Sequence, residues 1–297
     1  MSTLTDFLNL NDVEYRENLL LAEYSTIRIG GSADIVIYPD NVDKLISTVD
    51  FLWKEKIDYR VLGRMSNILL PDENIRQIII KTDKVLGYKL EDNILSLNTG
   101  EMISRHAVNL AKQGFSGFLG LVGIPGSIGG MLRGNAGAFG DEIGNIVISA
   151  KAFSPSKNKI LEIDVKDMDL GYRRSVFHFN DFVILSVKLK LDRMSSDEAI
   201  KILRKNREKR LDTQPIGMPS LGSTFKRPPG DFAARLIDAA CLRGTRIGGA
   251  MVSEKHAGFI VNSNNATSRD VKRLIEYIKK NVNDKFGVML QTEIEIL

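Results

Sequence analysis

A glycine-rich run at residues 114–140, GFSGFLGLVGIPGSIGGMLRGNAGAFG, constrains this chain more than any other feature. Glycine has no Cβ, so it adopts positive φ and lets other groups approach the main chain closely. Within residues 123–130 this composition predicts a row of exposed backbone N–H groups. Because such a row of donors suits an anion such as a diphosphate, we interpret the run as a phosphate-binding loop. A purely structural glycine-rich turn is the alternative.

Four other interpretations of the run are excluded. Collagen requires a long glycine repeat rich in proline, whereas this run is short, apolar and holds only Pro125. Residues 114–132 carry no charge, but their glycines and proline make a poor membrane-spanning helix. The run also lacks the lysine of a P-loop and the G-x-G-x-x-G spacing of a dinucleotide-binding turn.

Composition indicates a globular protein with room for two or three domains, since 43% of the 297 residues are hydrophobic and 26% are charged. The net charge of +4 suits an anionic substrate or cofactor, but it gives no argument for a nucleic-acid partner. The single cysteine, Cys241, excludes an internal disulfide and favours a reducing compartment. The N-terminus does not resemble a secretory signal, so a cytoplasmic location is expected.

No metal site is expected from one cysteine and three histidines, His106, His178 and His256. A nucleophilic pair of Cys241 with a histidine is disfavoured, because the flanking residues of Cys241 are those of a buried turn. We interpret His256 as a surface or packing residue.

Periodicity predicts an α+β arrangement with a main boundary near residue 208, followed by a linker at residues 213–219. The predicted strands are residues 33–39, 59–62, 78–80, 94–97, 146–153, 182–191 and 258–262, and the predicted helices are residues 41–56, 104–112, 195–210 and 232–240. Residues 267–270 resemble a capping box before another helix. The alternating residues 286–297 predict a final strand whose polar face carries Glu293.

Six motifs in order along the chain resemble the UDP-N-acetylenolpyruvoylglucosamine reductase family from end to end. They are STIRIGGSAD at residues 25–34, GRMSN at 63–67, GIPGSIGG at 123–130 with NAGA at 135–138, GYRRS at 171–175, GSTFK at 222–226 and LQTE at 290–293. Any one motif alone would be a weak signal, but the ordered set is specific.

The resemblance implies an FAD-binding region of the vanillyl-alcohol-oxidase (PCMH) type at residues 1–207, with subdomains of about 1–80 and 81–207. A substrate-binding α+β domain would follow at residues 208–297. The resemblance is to the subgroup without an extra tyrosine-bearing loop, because residues 173–215 leave no room for one.

The implied chemistry is a relay in which NADPH reduces non-covalently bound FAD, and hydride then passes to the vinyl carbon of UDP-N-acetylglucosamine enolpyruvate. By resemblance, Arg173 grips the substrate carboxylate, which suits its bidentate guanidinium. Glu293 assists as an acid or polarising partner, which requires a protonated carboxyl in a dry pocket. Ser223 matches the family's proton donor, and Lys226 is our candidate for stabilising its alkoxide.

The resemblance also implies binding residues, and the expected oligomeric state is a monomer. The cofactor-binding residues would be Arg28, Gly63, Arg64, Met65, Ser66, Asn67, Gly123, Ile124, Pro125, Gly126, Ser127, Gly129, Gly130, Asn135 and Gly137. The substrate-binding residues would be Tyr172, Lys226 and Arg227.

The chain departs from the family pattern at Met65, where glycine is usual, and at Leu119, Gly134 and Arg227. If position 65 needs positive φ, methionine costs roughly 1–2 kcal/mol there, so Met65→Gly is expected to tighten FAD binding. Two rival functions stay open: an oxidase of the same flavin fold, and a non-catalytic paralogue that binds FAD or a UDP-sugar.

Overall fold

Seven α-helices and nineteen β-strands form between residues 2 and 297, the part of the chain that this computed structural model describes. The helices are α1 (Ser2–Leu10), α2 (Val42–Lys54), α3 (Ile103–Lys112), α4 (Ile128–Arg133), α5 (Ser196–Thr213), α6 (Ala233–Ala239) and α7 (Ser268–Phe286). The strands are β1 (Glu14–Leu20), β2 (Ser32–Tyr38), β3 (Tyr59–Leu62), β4 (Ile68–Leu69), β5 (Ile78–Lys81), β6 (Tyr88–Glu91), β7 (Ile94–Asn98), β8 (Phe115–Ser116), β9 (Gly137–Ala138), β10 (Asp141–Glu142), β11 (Val147–Ser154), β12 (Lys159–Asp164), β13 (Val183–Lys190), β14 (Asp192–Arg193), β15 (Ser220–Ser223), β16 (Arg246–Ile247), β17 (Ala250–Val252), β18 (Phe259–Asn262) and β19 (Glu295–Ile296).

These elements belong to two units. The first unit comprises residues 2–17, Ile35–Arg64 and Gln77–Glu208. The second comprises Asn18–Asp34, Met65–Arg76 and Lys209–Leu297. The second unit therefore combines the C-terminal residues with two segments from the N-terminal part of the chain.

The first unit contains a parallel arrangement of β2, β5 and β3. Ile79 of the central strand pairs with Val36 on one side and with Arg60 on the other. A central parallel strand is covered on both faces, so every residue of β5 is buried. Helix α2 begins after Asn41, whose side chain accepts the Lys44 N–H at 2.9 Å as an N-cap.

A five-stranded antiparallel sheet in the order β12-β11-β13-β7-β6 forms the rest of this unit's framework. Successive residues of a strand face opposite sides. Ala152 and Ile184 accordingly lie in the hydrophobic core around α3 and α4, whereas Phe153 and Leu185 lie in the core that includes α1 and α2. One sheet thus serves two cores within the first unit.

The second unit is an antiparallel sheet in the order β15-β18-β17-β16, whose core includes residues of α6 and α7. The predicted capping box at the start of α7 is confirmed. The Thr267 side chain accepts the Asp270 N–H, and the Asp270 carboxylate accepts the Thr267 N–H, each at 3.0 Å. Val271 and Leu274 follow as buried positions one turn apart.

The predicted strand over residues 286–297 is wrong. Helix α7 continues through Phe286 and ends at Gly287, which has φ of +68°. Only Glu295–Ile296 forms a strand, parallel to β4, and Thr292 makes an isolated bridge to Phe225. An apolar–polar alternation cannot distinguish a ladder from an irregular segment whose apolar side chains fill a core.

Asp270→Asn should lower the free energy of unfolding by about 1 kcal/mol at neutral pH. The Thr267 N–H lowers the pKa of Asp270, so its stabilisation is present above the unfolded-state pKa and is lost as pH falls through the lower folded-state value. Urea unfolding at pH 7 and at roughly pH 3 should show the deficit shrinking in acid. Asp284→Asn, which removes an exposed ion pair with Lys280 on the same helix, should change stability by less than about 0.5 kcal/mol. A deficit independent of pH would contradict the assignment.

Candidate active site

The turn after β3 places Met65 at φ of +50°, in the left-handed region. This position therefore does require positive φ, as the glycine usual there suggested, at a cost of about 1–2 kcal/mol. The Met65 side chain is only 2% exposed. Its apolar burial offsets the backbone cost.

Three successive amides of this turn lie in the second unit, those of Met65, Ser66 and Asn67. Across the described residues these N–H groups have no protein acceptor. The Asn67 side chain instead donates to the Glu293 carbonyl at 3.2 Å, and the Asn67 carbonyl accepts the Glu295 N–H at 2.9 Å. Successive unpaired amides are suited to bind an anion.

The glycine loop at residues 123–130 has fewer available donors than its composition suggested. The N–H groups of Gly123, Ile128 and Gly129 donate to Ser104 Oγ at 3.0 Å, the Glu101 carbonyl at 2.7 Å and the Thr99 carbonyl at 3.1 Å. Those of Ile124 and Gly130 are also bonded, and Pro125 has no N–H. Within residues 2–297, only Gly126 and Ser127 of this loop keep amides without an acceptor.

Gly63 lies directly against Ser127, so the first unit brings the two predicted loops together. A Cβ on Gly63 would stand 2.5 Å from Ser127 Oγ, a separation that only glycine permits. The next residue, Arg64, has no acceptor for its N–H among the described residues, and its Nε is buried without a hydrogen-bond partner. Because an unsatisfied buried donor costs about 1–3 kcal/mol, an anionic ligand here would restore stability.

Arg173 also lies in the first unit, beside other predicted site residues. Its guanidinium donates to the carbonyls of Asn135 and Gly137, both at 3.4 Å, and lies 5.0 Å from the centre of the Tyr172 ring. Asn135 is buried and donates to the Gly171 carbonyl at 2.9 Å. These contacts fix the orientation of a cation that is always charged.

Ser223 and Glu293 lie on adjacent backbones in the second unit. The Glu293 N–H donates to the carbonyl of Thr224 at 2.8 Å, and the Lys226 N–H donates to the carbonyl of Gln291 at 2.9 Å. The segment from Ser223 to Lys226 therefore runs antiparallel beside the predicted carboxyl. The structure thus places Ser223, Lys226 and Glu293 on neighbouring backbone segments of one unit.

A backbone irregularity precedes Ser223. The pairing of β15 with β18 changes register between Ser220 and Ser223, and Gly222 has φ of +77°. A bulge of this kind turns the following side chain away from the regular alternation and is common beside active sites.

Three other residues singled out in the sequence, Arg28, Arg227 and His256, also belong to the second unit. Arg28, in the second unit, is exposed with φ of +58°, and its carbonyl accepts the Asn262 side chain at 3.4 Å. Arg227 is exposed and stacks on the Phe232 ring at 5.2 Å. His256 packs edge-on against Phe259, and burial lowers its pKa, in agreement with a packing role.

Sequence reasoning missed Lys81 and Glu101, two buried charged residues beside the predicted loops. The Glu101 carboxylate accepts the Gly87 N–H at 3.2 Å and lies 3.1 Å from His106 Nε2. A lysine that ends the apolar run Ile-Ile-Ile is a signal that could have identified Lys81.

Two family models match the chain. An FAD binding domain matches residues 33–164, and the C-terminal domain of UDP-N-acetylenolpyruvoylglucosamine reductase matches residues 214–297. Within residues 2–297, the donors of Arg64, Gly126 and Ser127 that have no protein acceptor fit a diphosphate. Together with them, the two family matches define an FAD-dependent oxidoreductase. The α+β fold with a vanillyl-alcohol-oxidase-type FAD domain is confirmed.

Full-length relatives identify the family. A UDP-N-acetylenolpyruvoylglucosamine reductase of Clostridioides difficile is 38% identical over 98% of this chain and 97% of its own length. The reductase of Caldicellulosiruptor saccharolyticus is 36% identical over 96% and 93%. The crystal structure of UDP-N-acetylenolpyruvylglucosamine reductase (MurB) from Thermus caldophilus superposes with a TM-score of 0.81 at 29% identity, covering 96% and 98% of the two chains.

The chain therefore belongs to the UDP-N-acetylenolpyruvoylglucosamine reductase family. The predicted activity is confirmed: it is an NADPH-dependent FAD enzyme that reduces UDP-N-acetylglucosamine enolpyruvate to UDP-N-acetylmuramate in peptidoglycan precursor synthesis.

The burial of Met65 changes the expected outcome of Met65→Gly. Removing a buried methionine costs about 2–5 kcal/mol, more than the roughly 1–2 kcal/mol of strain that is relieved. The backbone already has the left-handed conformation, so FAD affinity should change by less than about threefold while unfolding becomes easier. Denaturant unfolding and FAD fluorescence titration measure the two quantities. Tighter FAD binding without a loss of stability would contradict this expectation.

Proposed function

We propose that residues 1–207 hold FAD, in subdomains of about 1–80 and 81–207, and that residues 208–297 bind the sugar-nucleotide substrate. The two family matches fall on either side of residue 208, which supports this division. In the first unit, Gly63, Arg64, Gly126 and Ser127 would hold the anionic part of the cofactor.

Other residues are proposed to complete the FAD site. They are Arg28, Met65, Ser66, Asn67, Gly123, Ile124, Pro125, Gly129, Gly130, Asn135 and Gly137. Gly129 lies so close to Thr99 that a Cβ there would stand 2.1 Å from Thr99 Oγ1, so this position of the loop depends on glycine. FAD, when bound, supplies the hydride chemistry.

The protein residues would manage the charge that hydride addition creates on the substrate. Arg173, oriented by two carbonyls, is proposed to hold the substrate carboxylate and the negative charge that spreads from it. Tyr172, Lys226 and Arg227 are proposed to contact the rest of the substrate. Arg227 replaces the asparagine common in the family and would add charge attraction to the diphosphate.

Ser223 is proposed to donate a proton to the substrate carbon next to the one that accepts hydride. Glu293 would polarise the same region as an acid, and Lys226 would stabilise the serine alkoxide. The antiparallel contact between residues 224–226 and 291–293 is the single observation that supports this assignment, because it puts the three residues on neighbouring backbone segments.

The proposed partners are NADPH and the enolpyruvyl sugar nucleotide, with the chain acting as a cytoplasmic monomer. Within the described residues, no helix has both the length and the apolar character needed to cross a bilayer. No nucleic-acid partner is proposed.

Ser223→Ala should leave flavin reduction by NADPH intact and slow substrate-dependent reoxidation by about 10²-fold or more. Stopped-flow flavin absorbance measures the two half-reactions separately. Ser220→Ala, on the same strand, is the matched control and should leave both rates unchanged. Equal losses in both half-reactions would refute the proton-donor role.

The reductase activity and the two rival functions differ in the outcome that each predicts for the wild-type protein. The reductase activity predicts a yellow protein that consumes NADPH only with the enolpyruvyl substrate. Rapid flavin reoxidation by air without the sugar nucleotide would indicate an oxidase. A protein that binds a UDP-sugar but consumes no NADPH would indicate a non-catalytic paralogue.

A further inference from the structure

Lys81 is a fully buried cation at the end of the central parallel strand β5. Its side chain is 1% exposed, and the three residues before it are isoleucines. Removing an ammonium from water costs several kcal/mol, and apolar residues often replace a buried ion pair without loss of stability. A lysine at this position therefore suggests a role other than packing.

The surroundings of Lys81 connect it to the Gly63 turn. Its Nζ lies 2.8 Å from Asp83 Oδ2 and 3.4 Å from the Gly63 carbonyl oxygen. Beside it, Thr82 Oγ1 lies 3.5 Å from the Leu62 carbonyl. The two consecutive carbonyls of Leu62 and Gly63 are thus contacted by Thr82 and Lys81, at and just after the end of β5. All four residues belong to the first unit.

The direction of the Gly63 carbonyl determines the direction of the next amide. A trans peptide is planar, so its C=O and N–H point in opposite directions. Because the Gly63 carbonyl faces Lys81, the Arg64 N–H points away from that buried side. The Arg64 N–H has no protein acceptor among residues 2–297.

The ion pair is itself incomplete on its carboxylate side. Asp83 Oδ1 is buried and accepts no hydrogen bond from the described residues. The pair is therefore not optimised for stability alone, since a fully satisfied buried carboxylate would use both oxygens.

We propose that Lys81 is a positioning residue that holds the Gly63–Arg64 peptide with its N–H directed at the diphosphate of FAD. The inference rests on the proposed role of this turn in holding FAD. Lys81 would influence FAD binding through the orientation of the Gly63–Arg64 peptide and through its own positive charge.

Three variants test the proposal in FAD fluorescence titrations of the apoprotein, together with urea unfolding. Asp83→Asn keeps the ammonium and should bind FAD within about threefold of the wild type. The double variant Lys81→Met/Asp83→Asn removes both charges, so it should unfold at the same urea concentration as Asp83→Asn or at a higher one. It should nevertheless bind FAD about tenfold or more weakly than Asp83→Asn. Lys84→Met, at a neighbouring half-exposed lysine, should bind FAD normally.

The outcomes separate this inference from the proposed function. A double variant that binds FAD as tightly as Asp83→Asn would overturn the role of Lys81 while leaving the FAD site intact. A wild-type protein that binds no FAD would overturn both. If FAD affinity falls in parallel with the free energy of unfolding across all variants, Lys81 only supports the fold.

Discussion

Backbone amides without a protein acceptor are the constraint on which the proposed cofactor site depends. Backbone N–H groups in folded proteins are mostly paired, yet within residues 2–297 those of Arg64, Gly126 and Ser127 have no protein acceptor. The rest of the glycine loop is tied down by bonds to residues such as Thr99 and Glu101. A rigid loop with a few available donors binds an anion at a lower entropic cost than a fully mobile one.

The proposed substrate chemistry depends on a different feature of the backbone. In the second unit, hydrogen bonds between residues 224–226 and 291–293 make the backbones of Ser223 and Glu293 neighbours. An irregularity in strand pairing lies just before Ser223. Both effects are set by main-chain geometry. The same side chains on a regular, continuous strand would follow strict alternation.

Local features of the fold were predictable where the signal is contained in a few adjacent residues. Thr267 and Asp270 predicted the start of α7, and the apolar spacing after them predicted its buried face, because capping and helical periodicity act within one or two turns. Met65 marked a position of positive φ through the glycine usual there. The prediction of a final strand at residues 286–297 was wrong. Apolar–polar alternation indicates which side chains are buried, and side chains are buried equally well in an irregular segment.

The candidate site was only partly predictable. The ordered motifs identified the residues, but the number of available amides in the glycine loop was overestimated, because their acceptors come from distant residues such as Ser104. Lys81 was missed for the same reason, since its partner carbonyl on Gly63 lies 18 residues earlier.

By itself, the sequence determined the chemistry that is available: glycine-rich loops, an always-charged arginine, a hydroxyl and a carboxyl, in an order typical of one family. Tertiary structure alone decided which amides stay unpaired, that Ser127 lies against Gly63, and that the Ser223 and Glu293 backbones are neighbours. The physical reason is that hydrogen-bond satisfaction depends on groups brought together from far along the chain, whereas residue chemistry and local conformation do not.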